Sequence, residues 1–408
     1  MSLEFDLVSS DKYCTYITDG THGTHINQEK GKYLLSAKDI LDGVVHIKED
    51  SRIISEDDFN KIHKNYKLEN YDVLLTVAGT IGRTAIIRNY ENNYTFQRSV
   101  AIFKTNDEIK SLWLYYYLNS PIGRQIIKSL SKGTTQLILP LKDLRNLEIP
   151  VPINVEDQKK ILFILTTIDK KIEINKEINK NLEEQIETLY NSFFVYYDDF
   201  PKEELEECEI GLIPKEWNLL SLGEVTTKIR EKVGKDDYKV FSAVNTGNLI
   251  LSEEYFDKQV YSKSIEKYIV VKQKEFAYNP ARINIGSIGR NDFDFDGCVS
   301  PVYVAFKVEE GYENFMNMYI KSKRFNQWVI TLSSGSVRQT LNYDDFSIIK
   351  IAYPPKELIN KFNLIYDSYY EVINYNKSVI NNLENIRDIL LPKLMSGEID
   401  VSKINCDL

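Results

Sequence analysis

The chain has 408 residues, of which 27% are charged, and a formal net charge of −9. This length predicts two or three domains, and the acidic balance argues against a general, sequence-independent nucleic-acid binder. The four cysteines lie far apart without a CxxC pair, the first residues do not resemble a signal peptide, and no apolar run of about 18 residues occurs. We therefore expect a cytoplasmic protein with no disulfide framework and no membrane span.

Residues 1–152 are predicted to form a first mixed α/β domain. A polar, turn-rich stretch at 18–25 is followed by short strands, two of which flank the Gly-rich turn Gly79–Arg83. Residues 111–131 are predicted as a single helix. Its aromatic stripe at Tyr115–Tyr117 is expected to lie in the core and not to serve as a base-stacking platform.

Residues 153–205 are predicted to form a long central helix and an acidic linker. From Val155 to Phe193 the sequence has no Gly or Pro, and apolar residues recur at alternating steps of four and three residues. This heptad pattern is typical of a coiled coil and predicts a partner helix. The predicted seam contains Ile161, Leu165, Ile168, Ile172, Asn175, Asn179, Leu182, Ile186 and Leu189.

Residues 206–354 are predicted to form a second mixed α/β domain that repeats the first. Gly286–Arg290 echoes Gly79–Arg83, and Val302–Lys307 echoes the strand at 99–104. The repeat predicts that corresponding turns and strands have the same place in each domain.

Residues 355–408 are predicted to form the partner helix and a tail. This helix keeps the heptad alternation, and Asn376-Lys377 matches Asn175-Lys176. Since a seam Asn usually fixes register, the shared phase and Asn favour an antiparallel intramolecular coiled coil over two amphipathic helices docked on separate domains. The predicted seam contains Phe362, Ile365, Tyr369, Val372, Asn376, Val379, Leu383, Ile386 and Leu390.

The chain is thus predicted to be an α+β protein in which one unit, a mixed α/β domain followed by a long helix, occurs twice. Antiparallel helices would relate the two domains by a pseudo-two-fold axis. Two-fold protein symmetry suits the reading of two half-sites on a DNA duplex. Because the two domains differ in sequence, the half-sites are expected to differ.

Several stretches, in order and over nearly the full length, carry a resemblance to a known family. They are Ile17–His22, Asp157–Ile172, Phe193–Val195, Ile213–Trp217, Tyr278–Gly289 and Pro392–Ile399. With these stretches the chain resembles the specificity (S) subunit of type I restriction-modification enzymes. One departure is that the Ile-Pro-x-x-Trp sequence before the second domain has no counterpart before the first.

The resemblance implies two target-recognition domains, each reading one half of a bipartite DNA sequence, held apart by a coiled-coil spacer. It implies as partners double-stranded DNA, two modification (methyltransferase) subunits and a restriction (translocase/endonuclease) subunit. The chain itself would be non-catalytic and hold no cofactor, whereas the partner subunits would use S-adenosylmethionine, ATP and magnesium. The alternatives are a coiled-coil protein-interaction adaptor without DNA specificity and a fused methyltransferase.

Two absences argue against an active site or a metal centre. Asn279-Pro280-Ala281-Arg282 lacks the second Pro and the aromatic residue of the element that holds a flipped base in adenine methyltransferases, and no Gly-rich cofactor loop follows a first strand. His22 and His25 have few near candidates for a third ligand, so no metal site is expected.

The polar and Gly-rich turns supply the candidate DNA contacts, because their side chains can reach phosphates and base edges. The alternative for the two Gly-x-Ile-Gly-Arg turns is a hairpin that needs Gly for backbone reasons alone. The candidates are Thr21, His22, Lys38, Thr80, Arg83, Lys132, Thr134, Thr135, Gln136, Asn279, Arg282, Ser287, Arg290, Ser336, Arg338 and Gln339.

Overall fold

The computed structural model describes residues 3–105, 107–133, 137–244, 247–255, 261–262, 264–333, 340–402 and 404. The chain forms two compact units, the first made of Met1–Lys176 and Lys377–Leu408 and the second of Glu177–Asn376. The predicted domain boundaries follow the ends of the long helices, whereas the compact units divide each long helix between them.

The first unit contains short strands, short helices and the first part of one long helix. Its helices are α1 (Ser10–Tyr13), α2 (Glu56–Asn65), α3 (Glu108–Asn119), α4 (Pro121–Leu130), α5 (Leu141–Arg145) and the start of α6 (Val155–Asn191). Its strands are β1 (Phe5–Ser9), β2 (Tyr16–Asp19), β3 (Lys32–Leu35), β4 (Ile40–Leu41), β5 (Val44–Val45), β6 (Ile53–Ile54), β7 (Val73–Thr76), β8 (Thr84–Ile86), β9 (Tyr94–Phe96), β10 (Val100–Lys104) and β11 (Glu148–Pro152).

A four-stranded antiparallel sheet, in the order β2-β10-β7-β8, lies at the centre of this unit. Strand side chains alternate between faces. Val73 and Leu75 therefore pack with Trp113 of α3 and Ile161 of α6, whereas Leu74 packs on the other side with the second sheet, β6-β3-β9. The sheet thus has a core on both faces, which fixes the positions of its loops.

The second unit has the same kinds of elements. Its helices are the end of α6, α7 (Leu222–Val225), α8 (Ser252–Tyr255), α9 (Glu313–Tyr319), α10 (Lys323–Leu332), α11 (Tyr343–Ser347) and the first half of α12 (Lys356–Met395). Its strands are β12 (Leu205–Cys208), β13 (Gly211–Pro214), β14 (Asn218–Ser221), β15 (Thr226–Ile229), β16 (Lys239–Ala243), β17 (Leu249–Leu251), β18 (Ile269–Val271), β19 (Phe276–Tyr278), β20 (Ile288–Arg290), β21 (Gly297–Val299), β22 (Val304–Val308) and β23 (Lys350–Tyr353).

Sheet topology confirms the predicted repeat. The order β15-β22-β19-β20 reproduces β2-β10-β7-β8, and the pair β14-β23 reproduces β1-β11. The parallel pair β16 and β21 reproduces the parallel pair β3 and β9. The α+β fold class, with two pseudo-repeated mixed α/β domains, is therefore confirmed.

The helix predicted at residues 111–131 is instead two helices. Between α3 and α4, Ser120 has an extended backbone (φ −65°, ψ 155°), and its hydroxyl accepts the Gly123 N–H at 3.1 Å. A residue before proline avoids the α region, and Pro121 suits the first turn of a helix. The stripe was correctly predicted as core, since Tyr116 and Tyr117 are each only 2% exposed.

The turns Gly79–Arg83 and Gly286–Arg290 do not have equivalent places, so that part of the predicted repeat is wrong. Strand registers align Arg290 of β20 with Ala85 of β8, because the loop before β20 is the longer of the two. A resemblance between short Gly-containing sequences did not reveal this difference in loop length.

Arg290 is 4% exposed and belongs to the interior of the second unit. Its guanidinium donates to Asp292 Oδ1 at 2.5 Å, to Asn314 Oδ1 at 2.7 Å and to Tyr366 Oη at 3.3 Å. Tyr366 lies on α12, so this buried network ties the sheet of the second unit to the long helix.

In the first unit, the long helices pack antiparallel. Arg387 Nη1 lies 3.0 Å from Asp169 Oδ1, and Lys176 Nζ lies 3.2 Å from Glu384 Oε1. Later residues of α6 therefore meet earlier residues of α12.

In the second unit, the same antiparallel order continues. Asn376 Nδ2 donates to Asn179 Oδ1 at 2.9 Å, and the rings of Tyr190 and Phe362 lie 6.4 Å apart. The predicted antiparallel intramolecular pairing of the long helices is confirmed.

Part of the predicted seam on α12 is displaced by one residue. Val372 and Ile386 were assigned to the seam, but they are 44% and 46% exposed, whereas Ile373 is fully buried. The sequence offers a hydrophobic residue at both of two adjacent positions, so periodicity alone did not choose between them. The buried series on α12 in the second unit is Ile359, Phe362, Tyr366, Ile373 and Asn376.

Replacing Arg290 with Met should destabilise the second unit by about 3–5 kcal/mol, since Asp292 would keep a partly buried charge without its partner. Urea unfolding would measure the free energy of unfolding. Arg282→Met is the matched control, because Arg282 is exposed in the preceding turn. Equal stability of the two variants would contradict the structural role of Arg290.

The Asn179–Asn376 pair, 7% and 6% exposed, should contribute to stability through its hydrogen bond. Asn179→Ala leaves the Asn376 amide buried without this partner, at a cost of about 1–3 kcal/mol. The double change of both to Leu should cost less than the sum of the two single Leu changes, which a double-mutant cycle in urea would show. Asn175→Ala is the control, because Asn175 donates to Lys171 O of its own helix. Additive Leu effects would contradict the coupling.

Unfolding of the first unit should become easier as the pH falls from about 6.5 to about 4. Burial, with the nearby charges of Lys67 and Lys104, lowers the pKa of His63 to about 4. Between these pH values, His63 is therefore protonated in the unfolded chain and neutral in the folded unit, so protonation favours unfolding. His63→Gln should reduce the loss of urea-unfolding stability between pH 7 and pH 5, whereas His46→Gln, at an exposed site, should not. An unchanged loss in His63→Gln would exclude this assignment.

Candidate nucleic-acid interface

Loops of the first unit meet at one edge of its sheets. The turn after β9 lies beside the turn after β7, since Val100 pairs with Thr76, and the loop after β2 joins through a bridge between Thr21 and Gln97. A further bridge joins Ala78 to the segment after α4. We call this surface the first loop edge, and it consists of residues 19–25, 36–39, 77–83, 97–99 and 132–133.

The turn Gln97–Ser99 lies at the centre of the first loop edge. The Gln97 N–H donates to the end of β3 at 2.8 Å, and the Arg98 N–H donates to Thr21 O at 3.1 Å. The Ser99 hydroxyl accepts the Ala37 N–H of the 36–39 turn at 3.1 Å, and the Ser99 carbonyl accepts the Val77 N–H of the turn after β7 at 2.9 Å. No periodicity in the sequence had marked this turn, because only the fold brings its partners together.

The polar loop after β2 is ordered by its own side chains. Thr21 Oγ1 lies 3.0 Å from His25 Nε2 and accepts the Gly23 N–H at 3.1 Å, and His22 Nε2 lies 2.8 Å from Asp19 Oδ2. His22 is 64% exposed. The predicted candidates Thr21 and His22 thus lie on the first loop edge, and the imidazole ring of His22 is exposed to solvent.

The turn between β7 and β8 is a tight loop held by Thr76. The Thr76 hydroxyl donates to Thr80 O at 2.5 Å and accepts the Arg83 N–H at 2.9 Å. Gly79 and Gly82 have φ of 77° and 90°, a left-handed region that favours glycine. The backbone conformation of the turn therefore accounts for both glycines. Thr80 is nevertheless exposed on the first loop edge.

Lys38 and Lys132 lie on separate segments of the first loop edge. Lys38 is exposed in a 3₁₀ turn that Ser36 and Asp39 cap, and Lys132 Nζ lies 2.6 Å from Asp143 Oδ2. Among the described residues, Lys38 forms no ion pair, whereas Lys132 does. The candidates Thr134, Thr135 and Gln136 lie outside the described residues.

The second unit has a corresponding edge, where the turn after β19 lies beside the turn before β22 because Tyr278 pairs with Val304. In this turn, Asn279 Oδ1 accepts the Ala281 N–H at 3.1 Å, and Arg282 is exposed. We call residues 279–287 and 300–303 the second loop edge. The candidates Ser336, Arg338 and Gln339 lie outside the described residues.

Two candidates of the second unit are structural, which corrects their assignment as DNA contacts. Ser287 is 3% exposed, and its hydroxyl donates to Ala243 O at 2.6 Å. Arg290 is buried in the network with α12 described above. Both face the interior because the longer loop before β20 shifts them into and beside the strand.

The described residues offer hydrogen-bond donors and acceptors, and the thiols of Cys14 and Cys298 are buried. Burial raises the pKa values of Cys14 and Cys298 to about 12, so both remain protonated at neutral pH. Across the described ranges, no three His, Cys, Asp or Glu side chains gather as metal ligands. None of the helices in this part of the chain is both long and apolar enough to cross a bilayer. The hydrogen-bond donors and acceptors of the two loop edges suit contact with a polar or charged surface.

Residues 15–184 match the family model of the type I restriction modification DNA specificity domain. The chain is 26% identical over 351 residues to the type I restriction enzyme MjaIX specificity subunit of Methanocaldococcus jannaschii, covering 81% of this chain and 78% of that protein. It is 25% identical over 408 residues to the HindI specificity subunit of Haemophilus influenzae, covering 78% of this chain and 84% of the relative.

A solved structure shares the fold over nearly the whole length. The crystal structure of a type I restriction-modification S subunit from M. genitalium covers 96% of each chain with a TM-score of 0.55, at 17% identity. Residues 15–184 therefore carry a type I restriction modification DNA specificity domain, and the chain is similar to type I specificity subunits over most of its length.

Proposed function

We propose that this chain is the sequence-specific DNA-binding subunit of a type I restriction-modification complex, in which each unit reads one half of a bipartite target. The observation that carries this proposal is the duplicated loop edge. Each unit places polar turns at one edge of a rigid sheet, and a site on a rigid scaffold presents its side chains in a fixed geometry.

The same observation disfavours a protein-interaction adaptor without DNA specificity. An adaptor built on the long helices would have no need of two repeated, polar loop edges. The exposed donors Thr80, Arg98 and Arg282 suit phosphates and base edges. With a net charge of −9, the chain would gain attraction to the DNA backbone from positive charge on other subunits.

In this proposal the chemistry resides in partner subunits. Two modification subunits would dock on the long helices and use S-adenosylmethionine, and a restriction subunit would use ATP and magnesium. Exposed apolar side chains on α12 support protein docking, since Leu364 is 77% exposed, Tyr375 69% and Ile389 60%. The helix pair would also set the distance between the half-sites.

Exchanging residues 211–354 for the matching segment of a relative should change one half-site and leave the other unchanged, because each unit has its own core and loop edge. Methylated adenines would be mapped in cells that contain the chimaera and the modification subunit. The unaltered chain with the same modification subunit is the control. A change in both half-sites would contradict modular reading, and an absence of sequence-specific methylation with the unaltered chain would contradict the proposed function itself.

A further inference from the structure

The strand-to-strand turns before β10 and before β22 have the same place in the two units. Each follows the second member of a parallel strand pair, β3 with β9 and β16 with β21, and leads into the central antiparallel sheet. Each is closed by one backbone hydrogen bond across the turn, from Val100 N–H to Gln97 O at 3.1 Å and from Tyr303 N–H to Ser300 O at 2.9 Å. By strand register, Arg98 and Val302 each lie two residues before the first paired residue of the following strand, Val100 and Val304. Within the closed turns, Arg98 is the second residue and Val302 is the third.

In the first unit the turn presents Arg98. The backbone of its turn is held by three neighbouring segments, while the Arg98 side chain itself is exposed. An arginine whose backbone is fixed loses little backbone freedom on binding, and its planar guanidinium is pre-organised to donate paired hydrogen bonds. Arginine is also the side chain that most often donates two hydrogen bonds to O6 and N7 of guanine in the major groove.

In the second unit the corresponding side chain is Val302. Val302 is 67% exposed, and Pro301 before it restricts the backbone of the turn. The turn therefore holds an apolar side chain in solvent, next to the turn after β19, where Ile285 is also exposed, at 58%. The apolar feature that a base pair offers in the major groove is the methyl group of thymine.

We infer that these two turns are equivalent base-reading elements, in which Arg98 contacts guanine in one half-site and Val302 contacts the methyl group of thymine in the other. This inference rests on the proposed DNA-binding function and goes beyond it by naming one base for each unit. The two units then use corresponding turns and different side-chain chemistry, so duplication of the fold does not impose identical half-sites.

The Arg98 contact is tested with the full chain bound to its modification subunit, on the duplex identified by methylation mapping. Each guanine of the half-site is replaced in turn by 7-deazaguanine, which lacks the N7 acceptor. At one position this should weaken binding of the unaltered complex about tenfold and leave the Arg98→Ala complex unaffected. Arg98→Lys should lose most of the preference for guanine, because lysine lacks the planar fork.

The control for the lost charge is Arg88→Ala. Arg88 lies at the far end of β8, where its guanidinium is 3.8 Å from Glu173 of α6. This variant should retain the response to 7-deazaguanine. Equal weakening of all duplexes by Arg98→Ala, with a shallower salt dependence, would show a phosphate contact and overturn the assignment. No effect of Arg98→Ala would overturn it as well.

The Val302 contact is tested by replacing each thymine of the other half-site with uracil, which deletes the methyl group. One replacement should weaken DNA binding by the unaltered complex several-fold and have no effect on binding by the Val302→Ala complex. The control is Ile348→Ala, which removes another exposed apolar side chain, at 56% exposure, and should respond to uracil like the unaltered chain. A uracil effect that persists in Val302→Ala, or no uracil effect, would overturn this contact. Specific binding by the unaltered complex in the same assays shows that the proposed function stands even where either contact fails.

Discussion

Burial of the helix seams is the constraint on which the rest of the structure depends. A long polar helix gains little stability from propensity alone, so α6 and α12 need a partner surface along their length. Each unit supplies it by packing its part of one helix against its part of the other and against a globular domain. In the second unit Phe194 of the chain segment after α6 lies 5.1 Å from the Phe362 ring and 4.9 Å from Phe315. Helix pair and domain therefore share one core.

The two units attach their globular domains to the long helices with different polar chemistry. In the first, the Tyr116 hydroxyl donates to Asp169 of α6 at 2.6 Å, and Arg387 of α12 reaches the same carboxylate. In the second, Arg290 of the sheet donates to Tyr366 of α12. Buried polar contacts of this kind favour one orientation of a domain, because a shifted arrangement would leave them unpaired. A fixed domain orientation is what makes its loop edge a defined surface.

The sequence predicted those features that follow from periodicity and order along the chain. The heptads, the repeat and the core position of Tyr116 and Tyr117 are of this kind. It could not choose between Val372 and Ile373, since both are apolar and only the packed domain decides which is buried. Nor could it place Arg290, whose interior position depends on a loop length, or single out Arg98, whose neighbours in space are distant in sequence. Local patterns identify elements, and the interface depends on how the elements meet.

A duplicated fold with differing loop tips separates stability from recognition. The residues that hold the turn Gln97–Ser99 act through backbone groups and through Ser99, so the Arg98 side chain takes no part in the hydrogen bonds that hold the turn. Substitution of Arg98 should then leave the core intact, because surface changes away from packed or paired groups have small effects on stability. The same reasoning applies to Val302, at 67% exposure. A chain built in this way can acquire a new target by changing tips, while its helices and sheets stay under the constraint of burial.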